Sequence, residues 1–171
     1  MEEIKYDGQF IKVTEELIEG NIWERVYLKD GLQIFPMNDQ KEIYMIEERR
    51  PHEINPIRFK FVTGLMDKIG EDPLETANRE LQEEIGLKAK TLKIINHRVS
   101  SGTINNQFYQ ILATELFPSK IPNPDGEETI VSIKAYPLDD IVEFIQTGKL
   151  PWDMGALAIF KIKAMLEQGD I

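Results

Sequence analysis

One short stretch of this sequence specifies a helix at both ends and along two faces. Asp72 supplies an N-cap carboxylate, Pro73 suits the first helical position, and Glu75 stands where a capping box places its acid. Gly86 closes the segment from the C′ position. At about 100° per residue, Leu74, Ala77 and Ile85 fall within about 40° of Leu81 and form one apolar stripe. Glu80, Glu83 and Glu84 follow the i, i+3, i+4 spacing and share a second face, about 60° to about 160° from Leu81. A chain containing this helix must give it an apolar surface to lie on and a cation to relieve the acidic face.

The residue inventory limits what that cation can be. With 0 Cys and 2 His (His52 and His97), the chain has no thiolate nucleophile, no disulfide framework and no Cys-based zinc site. Oxygen ligands suit hard Mg²⁺, with Mn²⁺ as the alternative. Arg79 adjoins Glu80 but projects to a different azimuth; it reaches Glu83 at i+4 and loop carboxylates such as Glu71, which gives it an orienting role. A solvated face is the default for an acidic run. Here the carboxylates flank the apolar stripe and follow the turn Gly64 to Glu71, whose backbone can approach a phosphate closely.

Around this helix, 171 residues predict one compact domain. Strands are expected at Ile22 to Leu28, Leu32 to Pro36, Ile43 to Glu47 and Arg58 to Val62, read as a run of antiparallel hairpins. Further strands follow at Thr91 to His97, Asn106 to Leu116 and Thr129 to Tyr136, then helices at Leu138 to Gln146 and Met154 to Gln168. That order makes an α+β or sandwich architecture. Trp152 reads as a plug before the last helix, and Ala156, Phe160, Ile162 and Met165 as its core stripe. Both histidines read as structural or surface residues. A net charge of −10 with no Lys/Arg-rich run speaks against a nucleic-acid partner. The acidic start lacks a signal-peptide pattern, and no apolar run reaches membrane-spanning length, so a soluble cytoplasmic protein with no membrane partner is expected.

Gly64, Glu71 and the run Arg79-Glu80-Leu81-Gln82-Glu83-Glu84-Ile85-Gly86-Leu87 resemble the Nudix box, G-x5-E-x7-R-E-U-x-E-E-x-G-U with U aliphatic. Glu71 to Leu87 fits the pattern throughout, whereas six residues separate Gly64 from Glu71 where the pattern has five. The extra residue lies in the loop, so the loop backbone is expected to shift and the carboxylate face to stay intact. The resemblance implies a Nudix-type α/β/α sandwich with a mixed sheet and pyrophosphohydrolase activity. In the family the glutamates matching Glu80, Glu83 and Glu84 bind divalent metal, and the carbonyl matching Gly64 can add a ligand.

From Ile43 onward the chain is most similar to ADP-ribose and nucleoside-diphosphate-sugar pyrophosphatases. By that likeness residues 1–40 form an antiparallel β dimerisation arm and residues 41–171 the Nudix domain, so a homodimer is expected. The loop Ser100-Ser101-Gly102-Thr103 stands where that branch has a substrate loop, which implies binding roles for Gly102 and Thr103. Asp125-Gly126-Glu127-Glu128 resembles the acidic loop carrying the catalytic base; Glu128 is preferred as nearer a strand, Glu127 remains, and a solvated loop is equally open. Arg50 matches an arginine near the substrate phosphates or dimer surface, with a plain surface residue as the alternative. Lys60-Phe61-Val62-Thr63-Gly64 stands where ADP-ribose enzymes carry Glu-Leu-Pro-Ala-Gly. The implied reaction is Mg²⁺-dependent cleavage of a sugar nucleotide to a nucleoside monophosphate and a sugar phosphate. Nucleoside triphosphate pyrophosphohydrolysis and a non-catalytic nucleotide sensor are the alternatives.

Overall fold

A computed structural model describes residues 1–66, 70–122 and 130–171. Its strands are β1 (Glu3–Asp7), β2 (Ile11–Ile18), β3 (Asn21–Leu28), β4 (Gly31–Pro36), β5 (Glu42–Arg49), β6 (Ile57–Lys60) and β7 (Val62–Leu65). After them come α1 (Pro73–Glu80), which runs into a π-helical turn at Leu81–Ile85, then β8 (Leu87–Ser100), β9 (Ile104–Pro118), β10 (Ile130–Pro137), α2 (Leu138–Gln146) and α3 (Met154–Gln168).

β9 is the spine of the larger sheet. Along one edge it pairs antiparallel with β8, from Leu87 opposite Pro118 to Ser100 opposite Asn106. Along the other it pairs in parallel first with β3, at Val26 and Ile104, and then with β4, from Gly31 opposite Phe108 to Pro36 opposite Ala113. β7 closes this sheet on β4, and β10, β5 and β6 form a second, antiparallel sheet. The expected run of hairpins is therefore corrected. β3 and β4 do not pair with each other; both lie along one edge of β9, and the link Lys29–Asp30 is a jog between them. Asp30 fastens this jog, since its carboxylate accepts the Gln107 N–H at 2.6 Å and its carbonyl accepts the Met66 N–H at 2.9 Å.

Side-chain alternation on β4 and β9 explains the layering, because both strands are apolar on both faces. Leu32, Ile34, Ile111 and Ala113 face α1, where Ala77, Leu81 and Ile85 pack with them. Phe35 and Leu112 face the opposite way, onto Ile141 and Ile145 of α2 and Ala156, Ile159 and Ile162 of α3. The result is an α/β/α sandwich with a mixed sheet, preceded by the antiparallel ribbon β1–β2–β3.

Four further readings change. The strand expected at Arg58 to Val62 is two strands, because Phe61 turns into the core against Phe35, ring centroids 4.9 Å apart, and sends β6 and β7 to different sheets. β1 and β2 precede the first strand expected. The arm boundary expected at residue 40 lies too late in the chain, since β4 is a core strand with Leu32 and Ile34 fully buried. Trp152 does not plug the core; its side is two-thirds exposed and its ring stacks on Phe160.

Leu81 joins α1 to the sheet at 0 % exposure. Leu81→Ala is expected to cost about 2–5 kcal/mol of unfolding free energy, read from urea titration, with a cooperative transition retained.

Candidate active site

The acidic helix is held in place by its caps before any of its carboxylates acts. Asp72 is extended and its carboxylate accepts the Leu74 N–H at 2.7 Å, with Pro73 at the next position. The Asn78 side chain both donates to the carbonyl of Ala89 and accepts its N–H, at 3.2 and 2.9 Å, clamping α1 to the start of β8. The last turn widens: the Gly86 N–H bonds the carbonyl of Leu81, five residues back. Gly86 itself is left-handed at φ 70°, where a side chain is strained. Uniform helical arithmetic does not foresee such a π turn, a feature common at functional sites.

Glu71, Arg79, Glu80 and Glu83 meet around one guanidinium. Arg79 Nη1 lies 2.9 Å from both Glu80 Oε1 and Glu83 Oε2, and its Nε lies 3.4 Å from Glu71 Oε1. Although burial works against the charge, the three carboxylates hold the Arg79 pKa above its usual value. Glu84 points elsewhere, accepting the Thr63 N–H, and its Oε2 is buried without a hydrogen-bond partner.

Gly64 passes directly over Glu80. A Cβ there would come within 2.3 Å of Glu80 Cγ, so only glycine permits this approach. The six-residue spacing to Glu71 leaves Gly64 beside the carboxylate face.

A second charged group borders this cluster. Glu48, at the end of β5, binds Lys60 Nζ at 2.6 Å and Arg50 Nε at 3.0 Å, and Lys60 also donates to Thr63 Oγ1 at 2.9 Å. Burial would raise the Glu48 pKa, but its bonds to Lys60 and Arg50 pull it below the usual carboxylate value. Together the two clusters line a cleft of about 780 Å³, closed on its other side by Phe10, Lys29, Asn106 and Phe108.

Burial and mutual repulsion act most strongly on two of the acids. Desolvation, with Glu84 and Glu83 nearby, pushes Glu80 up to about 8 despite Arg79. Desolvation also pushes Glu84 up to about 7, with Glu48 adding to it and Lys60 opposing it. As these side chains stand, no three acidic groups among the described residues are arranged to hold one cation, and Glu80 and Glu83 both bind Arg79. The donor set nonetheless fits a hard divalent cation. It consists of oxygen atoms, two of its carboxyls are driven toward neutrality by burial and by neighbouring carboxylates, and one buried oxygen of Glu84 has no hydrogen-bond partner.

Of the residues singled out in the sequence, Gly64, Arg79, Glu80, Glu83, Glu84 and Arg50 line this cleft, and Glu71 braces Arg79 from behind. Gly102 and Thr103 do not reach it. They lie exposed at the β8–β9 turn, where the Thr103 carbonyl accepts the Val26 N–H at 2.7 Å and ties the turn to the arm. Glu127 and Glu128 lie outside the described residues; Ile130, the next residue described, pairs with Glu48. Glu48, Lys29, Phe10 and Asn106 were not foreseen. Only the Glu-Glu-Arg-Arg run around Glu48 signalled any of them, and its pairing with Lys60 depends on the β5–β6 register.

A domain model described as NUDIX domain matches residues 28–155. The chain belongs to the Nudix hydrolase family. It is 26% identical over 136 residues to an ADP-ribose pyrophosphatase of Mycobacterium tuberculosis, covering 79% of this chain and 65% of that protein. It is 29% identical over 152 residues to an ADP-ribose pyrophosphatase of Bacillus subtilis, covering 85% and 80%. It is 25% identical over 154 residues to a methanol dehydrogenase activator of Bacillus methanolicus, also covering 85% and 80%. Its fold matches the crystal structure of an ADP compounds hydrolase with TM-score 0.74 and 20% identity, over 100% of this chain and 95% of that one.

The raised carboxyls have a measurable signature when metal is chelated. The native state keeps protons on Glu80 and Glu84 that the unfolded chain sheds near the ordinary carboxylate pKa of 4.5. Their contribution to stability is therefore full below that pH and is lost as pH rises through about 7 to 8. Thermal unfolding in chelator is expected to show a midpoint falling between about pH 5 and about pH 8.5, with Glu84→Gln flattening the fall.

Proposed function

We propose that this chain is a divalent-metal-dependent pyrophosphohydrolase acting on ADP-ribose or another nucleoside diphosphate sugar. The observation that carries the reading is the pairing of buried, electrostatically stressed carboxylates with cations across one cleft. Glu80, Glu83 and Glu84 stand on one side, and Arg50 and Lys60, joined by Glu48, on the other. An acidic wall repels a diphosphate unless cations intervene, and a cationic wall alone has no use for three glutamates. The likeness to two proteins named ADP-ribose pyrophosphatase supports the substrate class.

Glu80, Glu83 and Glu84 would hold the metal, with the Gly64 backbone beside them. Bound Mg²⁺, or Mn²⁺ in its place, supplies positive charge between these carboxylates and the substrate phosphates and Lewis acidity toward them. Arg79 and Glu71 keep the glutamates in position. Arg50 and Lys60 bind phosphate oxygens and orient the diphosphate. Water adds to one phosphorus, the bridging P–O bond breaks, and the proton from water passes to Glu128, or to Glu127, before reaching solvent. The products are a nucleoside monophosphate and a sugar phosphate.

The ribbon β1–β3 carries Tyr6, Leu17, Ile22 and Trp23 more than half exposed. Leu17 and Ile22 pair on one face and Trp23 projects from the other, and these exposed apolar groups support a homodimer through the arm. Light scattering is expected to give about twice the chain mass of 19.8 kDa, with Trp23→Glu returning the monomer.

Incubation with ADP-ribose and Mg²⁺ followed by chromatography is expected to show AMP and ribose phosphate, and chelator to abolish them. Glu84→Ala is expected to lower turnover by about 10²-fold or more with the unfolding transition preserved. Near-normal turnover in that variant overturns the metal assignment. Release of inorganic pyrophosphate from nucleoside triphosphates, with sugar nucleotides untouched, overturns the substrate class.

A further inference from the structure

A second cavity of about 560 Å³ adjoins the carboxylate cleft, and the two share Arg50, Lys60 and Thr63 in their walls. Its remaining wall comes from β6, the segment before it, Gln33 of β4 and the link between α2 and α3. The size is that of a small-molecule site. The three acids of the carboxylate face, Glu80, Glu83 and Glu84, are absent from its described lining.

Charge sets this cavity apart from the rest of the molecule. The chain carries a net −10, yet the described lining holds Arg50, Arg58, Lys60 and Lys149 against two carboxylates, Glu53 and Asp153. Asp153 is turned to the backbone, capping α3 through the N–H groups of Gly155 and Ala156. Arg50 and Lys60 share the single carboxylate of Glu48, so that trio keeps a positive charge. Lys149 rests on aromatic rings, its Nζ 3.9 Å from the Phe144 centroid and 4.5 Å from that of Phe59. Arg58 binds Glu53 at 2.7 Å and is half-exposed at the rim. Concentrating like charge in a concave, partly desolvated wall costs free energy that an anion recovers.

Arg58 and Lys149 line this cavity and not the carboxylate cleft. A diphosphate seated against Glu80, Glu83 and Glu84 accounts for Arg50 and Lys60 but not for the placing of Arg58 and Lys149 in this wall, where Glu53 and the aromatic rings hold them. We propose that the second cavity is a binding site for a phosphate monoester carried on a sugar, with Arg58 and Lys149 as its distinguishing contacts. Such a group carries between one and two negative charges near neutral pH and offers oxygens to a guanidinium fork. Phe59 and Pro151 provide apolar surface for the sugar ring. The phosphate belongs either to the far end of a phosphorylated sugar nucleotide or to a free sugar phosphate. The site extends the sugar-nucleotide reading, but its binding chemistry does not require turnover.

The test is calorimetric titration of the full chain in chelator with ribose 5-phosphate, and with ribose as the neutral control. Saturable binding of ribose 5-phosphate, none of ribose, and a loss of about five- to tenfold in affinity for both Arg58→Gln and Lys149→Gln are expected, with Arg58→Lys keeping more affinity than Arg58→Gln. Absence of saturable binding, or affinity unchanged in both glutamine variants, overturns the proposal. Kinetics with Mg²⁺ then separate the two sources. A lower KM for a sugar nucleotide phosphorylated on its sugar, abolished by Arg58→Gln, assigns the site to the substrate. Arg58-dependent modulation of ADP-ribose turnover by free ribose 5-phosphate assigns it to the free ester. A chain that binds ribose 5-phosphate through Arg58 but hydrolyses no nucleotide keeps the site and loses the proposed function. One that hydrolyses ADP-ribose without binding ribose 5-phosphate does the reverse.

Discussion

Burial of β4 and β9 on both faces is the constraint from which the rest of the architecture follows. Two adjacent parallel strands that are apolar on either side need a cover above and below, and helices are the cover available in a chain of this size. The α1 cover has a narrow stripe of Ala77, Leu81 and Ile85, so its flanks remain for other chemistry. The glutamates occupy that flank. They are buried because the apolar stripe is pressed onto the sheet, and core packing thus does the work of desolvating them.

Desolvated carboxylates on one helix cannot coexist without compensation, and the structure compensates unequally. Arg79 serves Glu71, Glu80 and Glu83, while Glu84 receives a backbone N–H and the distant influence of Lys60. The residual stress on Glu80 and Glu84 is the electrostatic form of an affinity for cations. The same logic explains Lys60. Where ADP-ribose enzymes carry a glutamate, this chain places a lysine that binds Glu48 and faces Glu84, shifting positive charge into the wall between the two cavities.

Much of this was legible in the sequence because the signals are local. The caps of α1, its stripe, and the bounds of α2 and α3 depend on residues within a few positions of one another, and the structure has α2 and α3 at the expected limits. Partners distant in sequence were not legible. Parallel pairing of β4 with β9 joins residues about 77 apart and leaves no turn between them to read. The break at Phe61 depends on Phe35 being available across the core. The Glu48–Lys60 ion pair depends on the β5–β6 register, which sets Lys60 opposite Ile46 and diagonal to Glu48. The π turn at Leu81–Ile85 has no residue pattern that distinguishes it from an ordinary helical turn. Gly102 and Thr103 lie apart from the cleft for a related reason: the parallel contact between β3 and β9 ties their turn to β3.

Asp30 carries a mechanical consequence. Its carboxylate grips β9 at Gln107, its carbonyl grips Met66 just beyond Gly64, and the chain running back from it is the arm. Three segments are thus riveted at one residue in the two-residue jog between β3 and β4. A ribbon attached through so short and doubly bonded a joint behaves as a lever and not as a tether. A displacement of the ribbon would therefore be felt at Met66, directly after the strand β7 that crosses Glu80.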